Sequence, residues 1–136
     1  MDLRSVFAPR LVAHAHCDIP CGIYDPSAAT IAAQTVAKMV EKITGSTGTD
    51  EASRNLLIRS VAVKEEHAQI CKKELLILWS DYFKPEHLEK YPKLHDTFWK
   101  AAKLCSKNKQ SVDAQAAADL QAAVKEIADI FWATKK

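Results

Sequence analysis

Apolar side chains recur every three to four residues through four separate stretches of this chain, and only three glycines and five prolines interrupt its 136 residues. That spacing is the period of a helix buried on one face. No stretch shows the strict alternation of half-buried strands separated by turns. The first helix is predicted to begin after Asp25-Pro26. There Asp25 can cap, and Pro26 loses nothing by lacking an N–H. Ala32, Val36, Val40 and Ile43 form its face, and Gly45-Ser46-Thr47-Gly48 ends it. A second helix starts near Thr49 or Asp50 and runs to about Tyr82. It carries one stripe through Val61, Ala68, Cys71, Leu75, Leu78 and Tyr82 and another through Leu56, Val63, Ile70 and Ile77. Two stripes mark a central, well-covered helix. Pro85 interrupts, and residues 85–92 form a connection with room for a short helical turn. A third helix spans about 93–107, with Leu94, Phe98, Ala101 and Cys105 aligned. Ser111 is the expected cap of a fourth, whose inward face is Ala116, Leu120, Ala123, Ile127 and Phe131.

Four amphipathic helices with short links fold most simply as an antiparallel four-helix bundle. The expected class is all-α, an antiparallel four-helix bundle with an irregular N-terminal hook outside it or against it. A three-helix core with a separate short helix is the structural alternative. The organisation is a cleavable pro-segment (residues 1–15), the hook (16–26) and the bundle (27–136). Trp99, Trp132 and the second stripe of the second helix are expected in the core or between subunits.

Composition excludes several classes of function. Lys and Arg number 19 against 17 Asp and Glu, so no broad basic surface for nucleic acid is implied. The longest purely apolar run, Leu75–Trp79, is far short of the roughly 20 residues of a membrane span. Residues 1–15, MDLRSVFAPRLVAHA, end in a small-residue Ala-His-Ala sequence. Pro9 and Arg10 break the apolar core an export signal needs, and Asp2 sits in its head. A cleavable pro-segment and a cytoplasmic location are therefore expected. Removing it takes away only Arg4, Arg10 and Asp2 among the formally charged side chains, so the net charge stays near zero.

Four potential ligands crowd residues 16–21: His16, Cys17, Asp18 and Cys21. Inside an intact chain, Cys-x3-Cys is a weak signal. A zinc site would need two more ligands, which Cys71 and Cys105 could supply. Those two cysteines otherwise read as small buried hydrophobes on helical faces. A redox pair would have a Cys-x-x-Cys spacing at a helix start, which is absent here. The spacing has a more coherent meaning if the chain begins at His16. A new amine, the Cys17 backbone nitrogen, the Cys17 thiolate and the Cys21 thiolate then form a planar N2S2 set, which suits nickel or copper. The His16 imidazole can approach axially, and Pro20 limits the conformations of the loop.

The segment HCDIPCGIYDP, residues 16–26, closely resembles the N-terminal motif of nickel superoxide dismutases. LWSDYFKPEH (78–87), YPKLH (91–95) and the ending IFWATKK (130–136) also resemble that family. The resemblance implies a precursor whose protease exposes His16, and a hexamer of identical four-helix subunits. It implies one nickel per subunit, cycling between nickel(II) and nickel(III). The implied reaction disproportionates superoxide to dioxygen and hydrogen peroxide. His16, Cys17 and Cys21 are the implied metal ligands. Asp18 would hold the hook, and Tyr24 and Tyr82 would limit anion access and order water at its open face. Lys84 would draw the anion in. A non-catalytic nickel-binding protein and a zinc-stabilised helical module are the competing functions.

The sequence departs from the family at one place. Better-known members have a glutamate early in the first helix and an arginine in the second, which together orient the axial histidine. Ala32 and His67 stand there instead. His67 is expected to take over part of that role, with Glu65, Glu66 or a partner subunit as acceptor. A histidine's charge varies across physiological pH, unlike an arginine's. His87 and His95 read as structural or solvated.

Overall fold

The computed structural model describes residues 22–135. Within them the chain forms α1 (Ser27–Thr44), α2 (Glu51–Ile77), a π-helical turn (Leu78–Tyr82), α3 (Pro85–Lys90), α4 (Leu94–Gln110) and α5 (Ala114–Thr134). Helix α1 packs on α2 and α5, and α4 packs on α2 and α5. The four long helices thus close into a ring, which is the expected bundle. Their directions alternate. Trp79, near the end of α2, donates to His95 at the start of α4, and Thr97 of α4 donates to Glu126, late in α5.

The core is built from the predicted faces. Ala32, Val36, Ala68, Cys71, Leu75, Leu94, Phe98, Cys105, Leu120, Ile127 and Phe131 are all buried in one cluster. Burial of Phe98 and Phe131 stabilises the fold by about 2–3 kcal/mol each. The Cys71 thiol is driven well above its ordinary range by its contact with the Cys105 sulfur and by burial. Among the described residues no further His, Cys, Asp or Glu joins this pair in a metal-holding group.

Several expectations change. Asp113, not Ser111, caps α5: its carboxylate accepts from the backbone N–H groups of Gln115 at 2.9 Å and Ala116 at 3.1 Å. Ser111 is still attached to the preceding helix, donating from Oγ to the carbonyl of Lys107. Helix α4 accordingly runs three residues further than expected, to Gln110. The second helix does reach Tyr82, but its last turn widens: the Phe83 N–H bonds to the Leu78 carbonyl at 3.2 Å, an i to i+5 closure. Such π turns occur preferentially at functional sites. Trp99 and Trp132 are not core of the single chain, being 54% and 48% exposed. The second stripe of α2 is buried only at Ile77; Leu56 is exposed.

Candidate metal site

The end of the bundle where the described chain begins gathers the start of the hook's exit, the π turn, α3 and the end of α5. His16, Cys17, Asp18 and Cys21 lie outside the described residues. Gly22, which follows them, has φ +99. Among the described residues, a side chain there would meet no neighbour within 4 Å, and the left-handed backbone itself calls for glycine. Asp25 then accepts from the Ser27 N–H at 2.6 Å and starts α1.

Tyr24 is buried, and its ring centroid lies 5.7 Å from that of Tyr82. The sequence places these residues 58 positions apart; antiparallel packing of α1 on α2 brings them together. The Tyr82 ring is held on all sides. Phe131 approaches to 4.4 Å, Phe83 edge-on to 5.0 Å, and His87 stacks at 5.7 Å with an interplanar angle of 14°. The Lys135 ammonium sits 5.0 Å from the ring centre, a distance at which the ring's negative face attracts a cation. The Tyr82 hydroxyl is 2.6 Å from Thr134 Oγ1.

A cavity of about 260 Å³ opens beside this pair, lined by Gly22, Tyr24, Asp81, Tyr82, Lys84, Glu86, His87 and Lys135. Lys84 is exposed at its rim and begins α3, its backbone N–H donating to His87 Nδ1 at 3.1 Å. Two lysines face two carboxylates there, so the lining carries no net formal charge and any pull on an anion is local to the lysine side. A larger groove of 410 Å³ between α1 and α5 is lined mainly by Ala and Gln side chains and has no comparable cluster of titratable groups.

Tyr24, Tyr82 and Lys84 are therefore brought together. His67 is not. It sits half-buried on α2, 15 residues or about 22 Å of helix from Tyr82, and makes no side-chain hydrogen bond among the described residues. Glu65 and Glu66 beside it are exposed, and Ala32 is buried in the core. His87, Thr134 and Lys135 belong to the site and were not singled out as site residues from the sequence. Their only signal was membership of the matched segments 78–87 and 130–136.

Among the described residues, no group of three or more His, Cys, Asp or Glu is placed to hold a metal ion. The bundle offers no competing centre there, and the N2S2 donors available before Gly22 fit nickel by ligand type. No described helix is long and apolar enough to cross a membrane.

The profile of the family described as nickel-containing superoxide dismutase matches residues 11–135. The superoxide dismutase [Ni] of Streptomyces seoulensis is 41% identical over 134 residues, 98% of each chain. A native nickel superoxide dismutase structure superposes with a TM-score of 0.78 at 40% identity, covering 89% of this chain and all of its own. Solved relatives include variants changed at the histidine that opens their chain, at an aspartate two residues on and at a tyrosine eight residues on. His16, Asp18 and Tyr24 have the same spacing. By sequence, fold and motif spacing together, this chain belongs to the nickel-containing superoxide dismutase family.

Proposed function

We propose that this chain, once cleaved between Ala15 and His16, disproportionates superoxide to dioxygen and hydrogen peroxide. The observation that carries this is the Tyr24–Tyr82 pair, which meets over a small cavity, Tyr24 standing three residues after the last proposed ligand, Cys21. His16 would hold nickel through its new amine and its imidazole, Cys17 through its backbone nitrogen and thiolate, and Cys21 through its thiolate. Nickel held there, one ion per subunit, would supply one-electron chemistry between the nickel(II) and nickel(III) states. Asp18 steadies the hook, Lys84 attracts the anion, and the two tyrosines restrict what enters and order water for proton delivery. His67, about 22 Å of helix from Tyr82 in its own chain, would help orient the imidazole of His16 of the partner subunit.

Cleavage is supported by the comparisons. The curated Streptomyces seoulensis relative aligns with 98% of this chain, whereas the solved native chain spans only 89% of it. That difference is about the length of the proposed leader. Before cleavage, Ala15 would tie up the His16 amine as an amide. The interrupted apolar core of the leader supports maturation in the cytoplasm by a protease that recognises its end. The exposed Trp99, Trp132, Leu56 and Ile58 support assembly of identical subunits, for which we adopt the hexamer.

The test is direct. Protein beginning at His16 should bind one nickel per subunit and remove superoxide, while the intact 136-residue chain should be inactive. Equal nickel loading with no turnover above free metal would leave a nickel-binding protein instead. Full activity in the intact chain would overturn the cleavage requirement.

A further inference from the structure

We infer that Thr134 is a positioning residue that sets the direction of the Tyr82 phenol proton and thereby makes Tyr82 a hydrogen-bond acceptor toward the cavity. The inference rests on the reading of Tyr82 as a residue at the mouth of the nickel hook.

A threonine hydroxyl has one proton to donate. Thr134 Oγ1 donates it to the carbonyl of Phe131 at 2.6 Å, closing the last turn of α5. The 2.6 Å contact between Thr134 Oγ1 and the Tyr82 hydroxyl must then be made with the phenol proton, leaving Tyr82 as the donor. The chain Tyr82 to Thr134 to the Phe131 carbonyl therefore runs in one direction, away from the cavity.

What the phenol oxygen can still offer a group in the cavity is its lone pairs. A water can donate to them and be held. An anion cannot, since it has no proton to give and meets an oxygen of like polarity. Access is thus discouraged for anions that would lodge near the phenol, while water is kept for proton delivery. Selection of this kind works by an unfavourable contact with the wrong occupant. The ring cannot readily turn to escape the arrangement: Phe131, Phe83 and His87 pack around it, and Lys135 holds its face. Tyr82 and Thr134 are 52 residues apart, and this hydrogen bond is how the end of α5 acts on the phenol oxygen.

The test uses Thr134→Val, which keeps the shape and removes the hydroxyl, and Thr134→Ser, which keeps the hydroxyl. The tyrosine Fermi doublet in resonance Raman spectra distinguishes a phenol that donates from one that accepts. It can be measured on the full chain without nickel, as wild type minus Y82F. Wild type and T134S should show a strong donor, and T134V should lose it. In the nickel-loaded chain beginning at His16, azide should bind T134V roughly fivefold more tightly than wild type, the factor one net hydrogen bond supplies. T134S should restore the wild-type value. A Tyr82 that is not a donor in wild type, or equal azide affinity in all three proteins, overturns the inference. A wild-type mature protein with no dismutase activity would instead defeat the proposed function, and the Raman result would still decide the proton direction.

Discussion

The ammonium of Lys64 donates to the backbone carbonyl of Asn108, tying the middle of α2 to the end of α4 inside the protein. The same nitrogen reaches the carbonyls of Lys109 and Ser111, each at 3.1 Å. Lys64 is 2% exposed, and burial pulls its pKa below the ordinary lysine value. The helix end supplies the negative pole that a carboxylate would otherwise provide. Asn108 completes the turn, donating to the carbonyls of Leu104 and Ala116. Lys64→Met should destabilise the fold by about 3 kcal/mol, because three carbonyls lose a charged donor. Urea unfolding measures this, and a change within error would show that water replaces the lysine.

The rim of the cavity should respond to charge. Lys84→Ala is expected to lower kcat/KM two- to fivefold at low ionic strength, roughly the effect of one exposed charge on steering, and the difference should vanish at high salt. Asp81 and Glu86 also line the cavity and keep the effect at this size. A loss independent of salt would move Lys84 from steering to chemistry.

His67→Gln should change turnover or its pH profile in the nickel-loaded mature enzyme. Glutamine keeps a hydrogen-bonding side chain and cannot titrate. His67 lies about 22 Å along α2 from Tyr82, so an effect would place its action on the hook of a partner subunit and not on the cavity of its own chain. An unchanged profile removes it from that role.

Acid should weaken the bundle through its helix caps. Hydrogen bonds from the Ser53 side chain and backbone hold the Asp50 carboxyl below its ordinary value of 3.8. The Ala116 N–H, then the Lys107 ammonium, do the same for Asp113. Both groups titrate lower folded than unfolded. Their stabilisation is complete above the unfolded value and disappears as pH falls through the folded one. Asp113→Ala should therefore lower Tm at pH 7 and flatten the acid limb of the stability curve. Asp113→Asn, which keeps a capping oxygen, should retain most of the neutral-pH Tm and also flatten that limb. Thermal melts from pH 2 to 7 check both.

Much of the bundle was legible because helices are local. Val36, Ala68, Leu75, Phe98 and Leu120 announce their buried faces by spacing alone. Ser111 was mistaken for the cap because serine and aspartate both suit that position, and the choice depends on how far α4 runs. Trp99 and Trp132 were expected in the core or between subunits, because apolar spacing says which side chains prefer burial and not what buries them.

By itself, the sequence determined the helical class and nominated His16, Cys17 and Cys21 as the proposed donor set, since ligand type and close spacing are properties of a short segment. It also identified Tyr24, Tyr82 and Lys84 through motifs shared with a family. Only the tertiary structure decided that Tyr24 meets Tyr82, that Thr134 meets the Tyr82 hydroxyl, that Lys135 covers its ring and that His67 stands apart. Those relationships join residues far separated along the chain. They arise from antiparallel packing that brings opposite helix ends together, and no local pattern of residues specifies which side chains then touch.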